Sequence, residues 1–437
     1  MSGGLKRQLG LLDATTINFG TTIGSGIFIV PASIALAMPA TGPILLVWLV
    51  GGLISLLGAL CIAELGAAYP ESGGMVVHLR EAWGPVWGYL YGWTTAVVIN
   101  PASIAAIAVA FATYTGHFLP LTGPGVRAVA VASIAVLTAI NCVSLRTGAN
   151  TQNGLTLLKT ALLSGLVVVS FLLPGGSPTH LRPFWPAGQG SLVAPFGIAL
   201  VAVLWAYDGW IEVTYVGGEV KDPGRIVPRA IAISTVLAIV LYALVTLAFL
   251  YVLTPAGTAA STVPASDAAR VTLGPIGAGL VALAIMVSTF GANNGIIFTA
   301  ARIPWAMAQQ GVFLRSVGRL HPRRGTPVTA LVHQAIVASA LALSGTYDQL
   351  ITYVVFASWV FYALGAGAVL RLRRTQPHLE RPYRAWGYPV TPLLFIAFAL
   401  LLVGLAIADT PREAAVGAGL IVAGLGPYAV WRRRSAS

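Results

Sequence analysis

Two ionisable residues stand inside stretches that are otherwise apolar. Asp208 lies in the segment WAYDGW at residues 205–210, and Lys159 lies within residues 154–173. An ionisable residue inside a membrane helix is a candidate functional site, because its charge is costly to bury without a partner. Asp208 is suited to cap a half-helix, to bind a substrate ammonium or to bind a cationic side chain. Lys159 either extends to the nearby interface or acts inside the protein.

A glycine-rich segment, GTTIGSGIF at residues 20–28, interrupts the first apolar stretch. Glycine is a poor helix former, so we expect two half-helices that meet at Gly24, the first ending near Ile23. The second then begins with unpaired amides, which attract an anion, and the first ends in unpaired carbonyls, which attract a cation donor. The backbone of an amino acid carries both charges. The alternative is a glycine packing seam, because Gly20 and Gly24 are four residues apart.

The composition indicates a polytopic membrane protein. Of 437 residues, 57% are hydrophobic and 9% are charged, which leaves too much apolar surface for a soluble domain. Windows long enough to cross a bilayer predict twelve transmembrane helices. The spans are 9–38, 43–69, 86–118, 126–143, 154–173, 192–216, 230–253, 276–308, 328–344, 350–370, 390–407 and 414–430.

The basic residues give the expected orientation. With the N-terminus in the cytoplasm, 19 of the 25 basic residues fall on the cytoplasmic side, and only Arg127, Arg182, Arg270 and Arg412 fall outside. This asymmetry predicts a cell-membrane protein with both termini cytoplasmic. It also argues against nucleic acid as a partner, because the net charge of +12 follows the topology.

The interruptions in spans one and six are five spans apart. This spacing predicts inverted repeats with broken helices 1 and 6, whose breaks meet near the bilayer midplane as in secondary transporters. An enzyme is not expected, because the six histidines are scattered and no nucleophile stands beside a base. A channel is disfavoured, since a site shaped for a zwitterion suits occlusion better than a continuous pore. Glu64 and Glu212 are expected either to be solvated near helix ends or to form gating ion pairs.

Several motifs together resemble the amino acid–polyamine–organocation transporters, and most of all the L-type amino acid transporters and their bacterial relatives. The motifs are GTTIGSGIF at 20–28, AELG at 63–66, SGG at 72–74, WAYDGW at 205–210, FTAAR at 298–302 and ERP at 380–382. The resemblance covers the chain from Leu9 to Val430. It implies an all-α, leucine-transporter-type fold within a single domain, residues 1–430. The two inverted repeats are 9–173 and 192–370, helices 11 and 12 lie within 390–430, and 431–437 form a cytoplasmic tail.

The resemblance also implies site residues. The amides of Ser25 and Gly26 hold the substrate carboxylate, and the carbonyls of Thr22, Trp205 and Asp208 receive its ammonium. Trp205 covers the substrate from outside. The ammonium of Lys159 occupies the place of a sodium ion in coupled relatives. The full expected substrate-binding set is Thr22, Ile23, Gly24, Ser25, Gly26, Ser103, Ile107, Trp205, Asp208, Asn294 and Phe356, with Lys159 and Trp205 in gating or coupling.

The implied function is sodium-independent exchange of neutral L-amino acids by alternating access. Two alternatives stay open: proton-coupled symport, with Lys159 or Asp208 releasing the proton, and transport of cationic amino acids. No cofactor or metal is expected. The loop 119–126 has no cysteine, so a disulfide-linked heavy chain is not expected and the protein should function as a monomer in the lipid bilayer.

Overall fold

The computed structural model describes residues 5–186, 191–345 and 347–436, with side chains omitted at 347–355, 409 and 434–436. The described chain is helical. The helices are α1 (Leu11–Thr22), α2 (Gly26–Ala37), α3 (Thr41–Ala68), α4 (Met75–Trp83), α5 (Pro85–Thr94), α6 (Asn100–Thr115), α7 (Gly123–Val143), α8 (Leu145–Leu172), α9 (Val193–Ala206), α10 (Glu212–Tyr215), α11 (Pro223–Ala260), α12 (Pro264–Leu273), α13 (Pro275–Ala300), α14 (Arg302–Gln309), α15 (Val328–Ser344), α16 (Tyr347–Thr375), α17 (Val390–Asp409), α18 (Pro411–Ala423) and α19 (Leu425–Ala436).

Much of this helical structure can cross a membrane. Within the described chain, eight helical segments are long and apolar enough, and α1 with α2 forms a ninth candidate that is bent by 43°. The helices α9 and α15 are apolar but shorter. The chain is therefore a multi-pass membrane protein.

The first break falls where the glycine pattern predicts it. Helix α1 ends at Thr22 and α2 begins at Gly26, so the intervening residues Ile23, Gly24 and Ser25 are not helical. Because an interrupted helix leaves backbone groups unpaired, this segment presents amides and carbonyls in the middle of the bundle.

The second break follows α9 and lies directly against the first. Gly209 has φ +115°, and a Cβ atom there would lie 2.9 Å from the amide nitrogen of Thr22. Both the backbone conformation and the close approach therefore require glycine. Helix α10 starts at Glu212 and is preceded by Ile211, so Asp208 does not cap it, and that interpretation is wrong.

Helix α8 begins nine residues before the expected span. Its first turns carry polar residues, which lower the mean hydropathy of that stretch. These residues face α1: Asn153 Nδ2 donates to Asp13 Oδ1 at 2.7 Å, and Gln152 Nε2 donates to the Thr16 carbonyl. Lys159 consequently lies in the middle of α8 and is fully buried. It does not extend to an interface.

Ion pairs join the helices at the end of the bundle that carries the N-terminus, here called the N-terminal side. Arg302 forms two hydrogen bonds to Glu219, at 2.8 and 3.0 Å, with both side chains 2% exposed. Arg373 lies 2.6 Å from Glu64, and Arg146 lies 2.8 Å from Asp13. Glu64 is thus buried and paired, not solvated.

Candidate functional site

A cavity of about 140 Å³ lies between the two helix breaks and the middle of the third span. The residues that line it come from the segment 21–26, the segment 204–215, and helices α5, α6, α13 and α16 with the turn between α5 and α6. They are Thr21, Thr22, Gly24, Ser25, Gly26, Tyr91, Thr95, Ile99, Asn100, Ser103, Ala106, Ile107, Leu204, Trp205, Ala206, Asp208, Gly209, Glu212, Tyr215, Ile296, Ser358, Trp359 and Tyr362.

The start of α2 supplies the cavity with hydrogen-bond donors. The first backbone bond of α2 runs from the amide of Phe28 to the carbonyl of Ser25, so the amides of Ser25, Gly26 and Ile27 belong to the open helix N-terminus. Ser25 and Gly26 both line the cavity. A helix N-terminus with its positive pole facing a cavity is suited to bind a carboxylate.

The carbonyls at the end of α1 already accept hydrogen bonds from side chains. Lys159 Nζ donates to the carbonyls of Gly20 at 2.5 Å and Ile23 at 2.7 Å, and also to that of Ser288 at 3.3 Å. Ser288 Oγ donates to the carbonyls of Ile23 and Gly24. The amine of Lys159 therefore lies at the negative pole of α1.

A tyrosine connects the two breaks. The hydroxyl of Tyr242, from α11, lies 2.8 Å from the carbonyl of Thr22 and 3.1 Å from that of Ala206. The carbonyl of Thr22 also accepts from the amide of Gly24 at 3.0 Å. An incoming ammonium must therefore share or displace a donor at Thr22.

Two carboxylates line the cavity. Asp208 Oδ1 accepts from the Tyr362 hydroxyl at 2.7 Å and from the amide of Gly209 at 3.0 Å. Glu212 is buried and accepts a hydrogen bond from the Thr299 hydroxyl. In the described part of the chain, no lysine or arginine forms an ion pair with either carboxylate. The cavity therefore has acceptors for a cationic group.

The third span is distorted where it meets the cavity. Residues Thr95–Ile99 form a π-helical turn, closed by the amide of Asn100 donating to the carbonyl of Thr95. The Nδ2 atom of Asn100 is buried without a hydrogen-bond partner among the described atoms, and Asn100 and Thr95 both line the cavity. Such turns are common at functional sites, and the amide of Asn100 is available to a ligand.

Comparison with known proteins agrees with this geometry. The family described as "Amino acid permease" matches residues 9–430. The chain belongs to the amino acid permease family. It is 34% identical over 409 residues to b(0,+)-type amino acid transporter 1 of Mus musculus, covering 91% of this chain and 82% of that protein. It is 30% identical over 437 residues to the serine/threonine exchanger SteT of Bacillus subtilis (strain 168), covering 99% of each.

A third relative is the large neutral amino acids transporter small subunit 2 of Homo sapiens, 31% identical over 437 residues, with 97% of this chain and 80% of that protein covered. The permease is accordingly a membrane transporter for amino acids and not an enzyme.

Eight of the eleven expected substrate-binding residues line the cavity of the permease: Thr22, Gly24, Ser25, Gly26, Ser103, Ile107, Trp205 and Asp208. Three do not. Ile23 is fully buried and meets Lys159 through its carbonyl. Asn294 is also buried, where its amide donates to Gln152 and its oxygen accepts from Asn141. Phe356 lies in α16 away from the lining.

Several lining residues were missing from the expected set: Tyr91, Thr95, Asn100, Glu212, Tyr215, Trp359 and Tyr362. The tyrosines and Trp359 lie in spans rich in aromatic residues, where nothing in the sequence distinguishes a pocket residue from a packing residue. Glu212 had a usable signal, because it lies one helical turn after Asp208.

Proposed function

We propose that the permease exchanges L-amino acids across the cell membrane by alternating access, without sodium. The proposal rests on one observation: the N-terminal amides of α2, the end of α1 and two carboxylates all lie at the same cavity. An α-carboxylate at the amides of Ser25 and Gly26 places the ammonium near the carbonyl-rich and acidic side of the cavity. Asn100 is positioned to donate to polar groups of the substrate.

Lys159 supports sodium independence. Its ammonium lies among three backbone carbonyls of α1, the first break and α13, an all-oxygen environment of the kind that binds a small cation. We therefore assign it a permanent structural charge that joins the two proposed repeats. In this reading, the fold is a five-plus-five inverted repeat, residues 9–173 and 192–370, with two further helices in a single twelve-helix domain of residues 1–430.

We infer that the structure corresponds to a state open away from the N-terminal side. Ion pairs close that side, and Asn18 adds hydrogen bonds to the Trp210 carbonyl at 2.6 Å and the Val213 amide at 2.7 Å. The exposed fraction is 42% for Trp205, at the opposite end of the cavity, and 8% for Glu212. With the basic residues cytoplasmic, this is an outward-facing state of a protein with cytoplasmic termini.

Neutral amino acids are the proposed main substrates. The serine/threonine exchanger and the large neutral amino acids transporter among the relatives carry these substrates in their names. Cationic amino acids are a second candidate, favoured by the absence of an ion-paired lysine or arginine at Asp208 and Glu212 within the described chain. We further propose a monomer without a disulfide-linked heavy chain, because loop 119–126 has no cysteine and Cys61 and Cys142 are free thiols.

Proteoliposomes test the proposed function. Uptake of labelled amino acid should require amino acid inside the vesicle and should be the same with sodium or potassium outside. Sodium-stimulated uptake would contradict the role of Lys159. Accumulation in empty vesicles under an inward proton gradient would instead establish proton-coupled symport.

Trp205→Ala should slow exchange by about tenfold while changing the dissociation constant much less. The indole is exposed at the mouth of the cavity and lies against Gly26, so it is placed to close over bound substrate, and a lost gating contact acts mainly on the occluded state. Exchange rates and equilibrium binding on the same purified variant separate these effects. Unchanged transport would show that Trp205 only packs against its neighbours. The control is Trp185→Ala, which removes an exposed tryptophan outside the cavity lining.

Asp208→Asn decides between the two substrate classes. If Asp208 binds a cationic side chain, arginine and lysine should compete with labelled alanine in the wild type, and the variant should lose this competition by about tenfold or more. Alanine affinity should be spared, because asparagine can still accept from Tyr362 and Gly209. If arginine and lysine do not compete with labelled alanine in the wild type, the permease is restricted to neutral substrates.

A further inference from the structure

A groove of about 700 Å³ lies between α16, α17 and the helix pair α4–α5, apart from the substrate cavity. Its walls include Ile396 and Leu400 of α17 and the indoles of Trp83 and Trp87. No residue of this groove lines the substrate cavity. The proposed exchange mechanism gives it no role.

The face of α16 that lines the groove changes from apolar to basic along its length. Val360, Ala363 and Gly367 are followed by Arg371 and Arg374, at spacings of three or four residues that keep one helix face. The distance from residue 360 to residue 371 is about 16 Å at 1.5 Å per residue, close to the ~15 Å of one half of a bilayer's hydrocarbon core. The gradient therefore has the length and polarity of one lipid leaflet.

Two guanidinium groups lie at the basic end of this face, those of Arg371 and Arg374. Arg373, between them in sequence, pairs with Glu64 on another face of the helix. Arg371 and Arg374 are exposed, and neither forms an ion pair with a carboxylate in the part of the chain that the structure describes. Guanidinium groups are suited to phosphate because their N–H donors match its oxygens.

Trp83 fixes the position of one of these groups. Its Nε1 donates to the carbonyl of Leu364 at 3.0 Å, which holds the ring against α16. The guanidinium carbon of Arg371 then lies 5.0 Å from the centre of the indole ring. Trp87 is 40% exposed in the same groove, and exposed indoles favour the boundary between headgroups and acyl chains.

We propose that this groove binds one anionic phospholipid. An acyl chain lies along Val360, Ala363 and Gly367 against α17, and the phosphate lies between Arg371 and Arg374. The charge favours an anionic headgroup over a zwitterionic one, because no carboxylate of the described residues forms an ion pair with either arginine and could receive a choline or ethanolamine group there. The site is independent of substrate binding.

Lipid binding to the purified protein in detergent tests the proposal, with native mass spectrometry measuring bound lipid. Phosphatidylglycerol should bind in preference to phosphatidylcholine, and the double variant R371A/R374A should bind phosphatidylglycerol about 25-fold more weakly, from about fivefold for each basic contact. The matched control R315A/R319A, with two exposed arginines outside the groove, should bind it like the wild type.

A second variant keeps both charges. Ala363→Trp fills the apolar part of the groove and should also weaken phosphatidylglycerol binding, with folding checked by thermal melting. Equal binding of the two lipids by the wild type would overturn the proposal, because the groove would then contact lipid without selecting an anionic headgroup. Unchanged binding by R371A/R374A would do the same, as would glycerol phosphate competing as well as the whole lipid, because the acyl chain would then contribute nothing.

Discussion

Replacing Gly26 with valine is expected to abolish amino acid binding while the protein stays folded. A Cβ atom at Gly26 would lie 3.2 Å from the Cβ of Ala206 and 3.5 Å from the ring of Trp205, so the methyl groups of valine have no room beside α9. They must instead occupy the space in front of the amides that begin α2. Loss of two charge-assisted hydrogen bonds predicts affinity lower by about 100-fold.

Isothermal calorimetry or a scintillation proximity assay on the purified variant measures this loss. Gly404→Val is the matched control, because a Cβ atom at Gly404 in α17 meets nothing within 4 Å. Both variants should elute as monodisperse protein. A dissociation constant for Gly26→Val equal to that of the wild type would remove the amides of Ser25 and Gly26 from the substrate site.

Lys159→Ala is expected to reduce exchange by about tenfold or more. The substitution removes the donor that joins α8 to Gly20, Ile23 and Ser288, and it leaves the buried carbonyl of Gly20 without its ammonium partner. An unsatisfied buried acceptor costs about 1–3 kcal/mol, and the lost bond to Ser288 weakens the contact between the two proposed repeats. Substrate binding should be affected less, because Lys159 does not line the cavity.

Lys159→Gln should give an intermediate rate, since an amide retains part of the hydrogen bonding. Thr160→Ala is the neighbouring control, because the Thr160 hydroxyl bonds only within its own helix, to the carbonyl of Thr156. Exchange rates and melting temperatures should be measured together. A Lys159→Ala variant with wild-type exchange would show that the ammonium has no role in coupling the helices.

The features that the sequence predicted best are those set by local backbone chemistry. Gly24 and Gly26 mark the first break and Asp208-Gly209 marks the second, because helix interruption depends on the residues at the interruption itself, whereas Gly20 lies inside α1 and packs against α8. The eight expected residues in the cavity lie on or near these breaks or on the adjacent third span. The span count of twelve and the inverted repeat stay predictions.

The features that the sequence did not predict depend on the orientation of each helix about its own axis, which decides which face points into the protein. In a membrane span the lipid side and the protein side are both apolar, so periodicity gives little information about which face is buried. Asn294 was expected in the pocket but faces Asn141 and Gln152, whereas Tyr362 was not expected and faces Asp208. The predicted span 154–173 leaves out the polar start of α8, because a hydropathy window scores composition and not contacts.

The π-helical turn Thr95–Ile99 has a consequence for the evolution of the third span. A turn closed by a bond between residues 95 and 100 contains one residue more than an α-helical turn, yet Thr95 at its start and Asn100 just after it both line the cavity. Removing one codon within the turn would therefore keep both flanking faces in register. A one-residue insertion into an α-helical third span gives the same geometry, in which the backbone is wider at the cavity and Ser103 and Ile107 keep their orientation.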